Sequence, residues 1–147
     1  MAGYQNEPIR FDLSELDELT QKVPGAVSRA LELLAQELNR QMKLEAPVDD
    51  GYMRSSIEIP RRTGEFEYSI FIGADYWRPV QFGSKPHVIE AVNAQTLHFY
   101  VDGNEVFCKR VNHPGTAANP FIDRALDNVE PRIDEFVDIA LEEISPR

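Results

Sequence analysis

Residues 97–111, LHFYVDGNEVFCKRV, decide the fold. Leu97 to Val101 and Glu105 to Val111 are rich in aromatic and β-branched residues, and Asp102-Gly103-Asn104 stands between them. That tripeptide supplies the positive φ angles a tight hairpin demands, so the stretch predicts two antiparallel strands. Further strand signals lie upstream. Ile57 opens an alternating run that predicts strands at 56–62 and 65–72, joined by a turn at Thr63 and Gly64. His87 to Ala91 reads as extended. Tyr76, Trp77, Val80 and Phe82 form a short aromatic segment, a brief turn of helix or a bent strand, which Gly83 ends.

Helical patterns flank these strands. Val27, Leu31, Leu34, Leu38 and Met42 recur as one stripe of an amphipathic helix, with Pro24 suited to its first turn and Pro47 limiting its far end. The spacing predicts a helix over 24–44. After the loop NHPGTAANP, a second stripe runs through Ile122, Leu126, Val129, Ile133, Phe136, Val137, Ala140, Leu141 and Ile144. Pro131 lies inside it and lacks a backbone donor, which predicts two collinear segments divided near 129–131. Helix, strands, helix is the order of an α+β domain: an antiparallel sheet of about four to five strands with an N-terminal and a C-terminal helix packed on it. A single domain is expected over 24–147. Residues 1–23 read as a mobile arm followed by a short helical turn from Phe11 to Leu19, carrying Leu13, Leu16 and Leu19.

The chain of 147 residues has the size of one domain, and 42% apolar with 10% aromatic residues suffices for its core. Against 25 Asp and Glu stand 15 Lys and Arg, a net charge of −10. Such a surface repels phosphate backbones and excludes sequence-reading of DNA, though solubility or a salty environment favours acidity equally well. The single Cys108 rules out an intramolecular disulfide, and no Cys/His metal cluster is visible. Met1 to Arg10 has no apolar segment behind a basic one, and no apolar run approaches the ~20 residues of a membrane span. Assembly in a cytoplasm without membrane contact is expected.

Candidate chemistry is sparse. His87, His98 and His113 lack the spacing of a helical metal pair. Alternation puts His98 in solvent. His113, in His-Pro-Gly, has the chemistry of a general base but no nucleophile motif beside it, so the expected role is a hydrogen bond that fixes the turn. Asp49, Asp50 and Gly51 make a turn signal without the alternating oxygens of a calcium loop. Arg61, Arg62, Lys109 and Arg110 are expected to pair with a neighbouring subunit's carboxylates. No catalytic, cofactor-binding or metal-ligating residue is assigned, and the expectation is a protein that is not an enzyme. Two other classes stay open: a small hydrolase or nuclease in which His87 and His113 converge with a carboxylate, and an acidic DNA mimic with carboxylates in a stripe.

APVDDGYMRSSI, through Ala46, Pro47, Asp50, Gly51, Arg54, Ser55 and Ile57, is the first of three ordered stretches that share a pattern. IGADYWRPVQFGSKPH follows, through Gly73, Tyr76, Val80, Phe82, Gly83, Pro86 and His87. The third is LHFYVDGNEVFCKRVNHPGTAANPFIDRAL, with its hairpin, His-Pro-Gly-Thr loop and Pro-Phe helix start. Together, over about 45–126, they resemble the gene-10-like minor morphogenesis family of lambdoid tailed phages, the tail-completion or head–tail joining proteins of the neck. Departures are mild: Gln81 where an acidic residue is common, Ser84 for Thr, and Trp77 for a small residue.

The resemblance implies a structural virion protein, a homo-oligomeric and generally hexameric ring. The ring would lie between portal-bound head-completion (adaptor) proteins and the tail tube or terminator, with genomic DNA as passing cargo. A tail-terminator ring of the same fold is the alternative; neck layer and copy number, six or twelve, stay open. On this reading the subunit interface comprises Trp77, Phe82, Asp102, Gly103, Asn104, His113, Pro114, Gly115, Thr116 and Phe121. The hairpin at 102–104 and the loop 112–120 touch neighbours, while Phe121 and Ile122 anchor the loop.

Overall fold

The computed structural model describes residues 8–10, 24–49 and 51–144. The expected helical turn at 11–19 and most of the expected arm lie outside the described residues, as does Asp50. Two compact units are present, one reaching to Trp77 and resuming at Pro120, the other spanning Arg78–Asn119.

In the first unit, the strand β1 (Ile9–Arg10) is followed by the helix α1 (Pro24–Glu45), a short helix α2 (Tyr52–Ser56), the strands β2 (Arg61–Gly64) and β3 (Glu67–Ile70), and then α4 (Phe121–Val129) and α5 (Ile133–Ile144) beyond the second unit. The stripe read from the sequence is the buried face of α1, where Val27, Leu31, Leu34, Leu38 and Met42 are joined by Ala26, Ala30 and Ala35. Twenty-two residues make α1 about 33 Å long, enough to serve as the common support for α4, α5 and β3. Ala26 and Ala30 meet Ala140, with Val137 beside them, so small side chains let α1 and α5 approach closely. Charge pairs close the same seams. Arg29 holds Glu143 at 2.7 Å, Arg132 holds Glu37 at 2.8 Å and Arg124 holds Glu45 at 2.8 Å. Met42, Ile57, Ile70 and Phe121 are fully buried, each contributing about 1.5–3 kcal/mol of apolar transfer.

Pro131 acts as expected. It sits in a 3-10 turn, Glu130–Arg132, that separates α4 from α5. The turn of the first hairpin is displaced from its expected place, because Thr63 and Gly64 belong to β2 and the chain reverses at Glu65 and Phe66. Side chains explain the shift: the Thr63 hydroxyl bonds Glu67 Oε1 at 2.7 Å and Ser69 Oγ at 3.1 Å, and Arg62 donates to the carbonyls of Gly64 and Glu65. The ladder extends beyond the named strands through Ile57 and Ile72.

The second unit holds β4 (His87–Glu90), β5 (Leu97–Val101), β6 (Asn104–Cys108) and β7 (Arg110–His113); α3 (Trp77–Phe82) leads into it. The α+β class and the flanking helices are as expected. The strands, however, are divided: β1-β3-β2 form one antiparallel sheet, β4-β7 a second and β5-β6 a third. The reason lies at Lys109. A bend there splits the run Glu105 to Val111, so that β6 folds back on β5 while β7 pairs with β4. Ile9 and Arg10, in the expected arm, pair with Ile70 and Ser69.

Candidate subunit interface

The β5–β6 hairpin closes through Asp102 at φ 50° and Gly103 at φ 80°, the pair of left-handed residues that a two-residue turn matched to strand twist requires. Leu97 faces Cys108, His98 faces Phe107 and Tyr100 faces Glu105. Opposed residues share a sheet face, so His98, Tyr100, Glu105 and Phe107 stand together. His98 stacks on Phe107 at 4.6 Å, packs on Tyr100 at 5.3 Å and holds Glu105 at 2.7 Å. This is an aromatic face left in water: Tyr100 is 67% exposed and Phe107 60%. The sequence reading placed His98 in solvent and overlooked Tyr100 and Phe107, although the same alternation puts all three on one side.

Two motif stretches meet in this unit. Ser84 and Thr116 exchange backbone hydrogen bonds of 2.9 and 3.0 Å, and the Thr116 N–H also reaches Ser84 Oγ. Gly115 sits at φ +86° where a Cβ would lie 2.4 Å from the Ser84 carbonyl oxygen. The Asn119 N–H donates to Val80 O, so the loop after β7 is tied to α3 as well as to the chain that follows it.

His87 and His113 are cross-strand partners whose rings stack at 4.9 Å. His113 Nδ1 accepts the Gly115 N–H at 3.0 Å, which is the turn-fixing bond expected of it. His87 Nδ1 lies 2.8 Å from Lys85 O. Among the described residues, no group of three or more His, Cys, Asp or Glu side chains could hold a metal ion, and no helix is long and apolar enough to cross a membrane.

The remaining interface candidates divide by exposure. Phe82 is 68% exposed, and Asp102, Gly103, Asn104, Pro114 and Thr116 are exposed as well. Trp77 and Phe121 are buried in the first unit. The arginines of the two basic pairs have partners within the chain: Arg61 bonds Glu58 and lies over the Phe71 ring, Arg62 caps the hairpin carbonyls, and Arg110 sits 3.5 Å from Glu90.

Residues 13–83 match the model of a protein family described as "Bacteriophage HK97-gp10, putative tail-component". The match spans just under half of the chain and contains the first motif stretch and most of the second; the hairpin and the His-Pro-Gly-Thr loop lie beyond it. No curated protein and no solved structure matches the chain.

Proposed function

We propose that the chain, whose residues 13–83 match the model of the HK97-gp10-like family of putative phage tail components, is a head–tail joining or tail-completion subunit of the virion neck that works as a ring. The observation that carries the ring is the exposed face of the β5–β6 hairpin. Tyr100 and Phe107 are large, set side by side on one hairpin face and in water, and such aromatic anchors are enriched at the centres of protein interfaces. A neighbouring subunit or the adjacent ring supplies the cover. The partners are further copies of this chain, the head-completion proteins on one side and the tail tube or terminator on the other. A net charge of −10 suits a passage through which DNA moves without sticking.

Light scattering over a concentration series, with and without isolated tails, tests this reading. A ring alone or on the tail supports it and gives the copy number; a chain that stays monomeric and binds neither heads nor tails sinks it.

One observation favours a second reading. The stacked pair His87 and His113 supplies the two histidines that a small His-dependent hydrolase or nuclease would use, while among the described residues no carboxylate joins them in a group of three. Hydrolysis by the purified chain that vanishes in His113→Ala supports it, and no hydrolysis across ester and nucleic-acid substrates removes it.

A further inference from the structure

A cyclic ring of more than two copies closes through heterologous contacts, in which one surface of each copy meets a different surface of the next. The β5–β6 hairpin supplies one of the two. Its exposed face carries Tyr100 and Phe107, and His98 holds the one acid beside them, Glu105, at 2.7 Å. The surface that receives it has to be concave, apolar and complementary in charge.

An apolar groove of about 250 Å³ lies within the first unit, between α1, the β2–β3 hairpin and α4. Leu31, Leu34, Leu38, Phe66, Tyr68 and Val129 line it. Its volume falls below the ~300–1,000 Å³ of clefts that hold small-molecule ligands, so it suits protruding side chains better than a cofactor. Aromatic anchors bind most strongly where they enter a pocket and shed their water. Phe66 and Tyr68 offer rings on which Tyr100 or Phe107 can pack edge to face.

Charge divides the chain in the same sense. Residues 78–119 carry four Lys and Arg against three Asp and Glu, a net charge of +1. The remaining residues carry 11 against 22, a net charge of −11, so the acidity of the chain belongs to the part that holds the groove. Glu130 lines the groove, and the exposed Glu65, Asp127 and Asp134 each adjoin a lining residue in sequence. Lys109 is exposed where β6 ends. Groove against groove would set acid on acid, whereas hairpin against groove sets a weakly basic surface on an acidic one.

We propose that the β5–β6 hairpin of one copy seats Tyr100 and Phe107 in the groove of the next copy, with Lys109 toward the acidic rim. This rests on the ring reading above and names the surface that receives the hairpin.

The test uses the full chain with Cys108→Ser in two preparations, one adding Asn104→Cys at the hairpin turn and the other Glu130→Cys at the groove. Both positions are exposed, and neither is an anchor. At a concentration where the parent assembles, alone or on tails, a flexible thiol cross-linker is expected to join one chain of each kind. That mixed link should form at least tenfold faster than a link within either kind. Links between like chains at the same rate overturn the pairing. An assembly of parental mass without the mixed link also overturns it and leaves the ring reading standing, whereas a parent that neither assembles nor binds tails removes both. A second readout needs no cysteine. Lys109→Glu is expected to raise the concentration required for assembly several-fold, and Glu130→Lys on the same chain to bring it back. No change in the first, or no recovery in the second, overturns the pairing.

Discussion

Gly115 lies so close to Ser84 that a Cβ there would sit 2.4 Å from the Ser84 carbonyl oxygen, at a φ of +86° that L side chains rarely adopt. Substituting Gly115→Ala adds backbone strain of about 1–2 kcal/mol and forces one of the two crossing segments to move. The paired hydrogen bonds between Ser84 and Thr116 are expected to open, with faster amide exchange across 84–90 and 110–116. The helices α1, α4 and α5 all belong to the other unit, so the 222 nm circular dichroism should change little. Unchanged exchange at Ser84 and Thr116 would show that the crossing tolerates a methyl group.

Gly103 offers a contrasting case. It also has positive φ, at +80°, yet nothing lies within 4 Å of its would-be Cβ. Gly103→Val therefore incurs backbone strain without a backbone collision, about 1–2 kcal/mol in a two-stranded hairpin that has little stability to spare. If the hairpin is a ring contact, this variant forms rings poorly while keeping monomer helicity. Light scattering and circular dichroism on one sample decide it, and an oligomer like the parent's counts against the contact.

Tyr100→Ser with Phe107→Ser separates binding from folding. Both side chains are more than half exposed, so the monomer should lose little stability. An aromatic anchor at an interface is worth about 2 kcal/mol or more, roughly thirtyfold in affinity. The expected result is an unchanged melting temperature with ring formation, or binding to tails, shifted to at least thirtyfold higher concentration. Equal assembly by parent and variant would move the interface away from this face.

Much of this was readable from residues. The α1 stripe, the division at Pro131 and the Asp102-Gly103 turn are local signals, each set by period or by φ, and each stands where the sequence puts it. The partition of strands was not readable, because the run Glu105 to Val111 carries no Gly or Pro at Lys109, where the chain bends and its two halves take different partners. The displaced hairpin turn has a similar origin, since Thr63 and Arg62 act through side-chain bonds that turn propensity ignores. Of the site, the loop role of His113 was legible in His-Pro-Gly; its stacking on His87 depends on pairing between residues far apart in sequence.

His113→Ala removes the acceptor for the Gly115 N–H, a bond of 3.0 Å. A half-buried neutral hydrogen bond is worth about 1 kcal/mol, so the loop should loosen without unfolding the first unit. His113→Asn, whose side-chain carbonyl oxygen can accept a hydrogen bond, should recover part of the loss. Amide exchange at Gly115 is the measurement. If Ala and Asn variants exchange alike and like the parent, the ring nitrogen does not hold the turn.

Acid should loosen the seams around α1. Hydrogen bonds from Arg40 and Gln41, against a smaller opposing effect of burial, and the nearby Arg132 charge bring the Glu37 carboxyl from its ordinary 4.5 down to about 2. Glu45 is lowered by Arg124, Glu135 by Arg132 and Glu143 by Arg29. Each group has a folded pKa below its unfolded one, so the unfolded chain binds more protons and stability falls as pH falls. The contribution is whole above about pH 4.5 and is lost on descending through the folded values, with Glu37 the last at about 2. Glu37→Gln is expected to lose about 1 kcal/mol at pH 7, a figure reduced for the solvent that screens its partners. Parent and variant melting curves should therefore differ at neutral pH and converge near pH 2. A gap that stays constant across this range would mean that Glu37 acts through packing rather than charge.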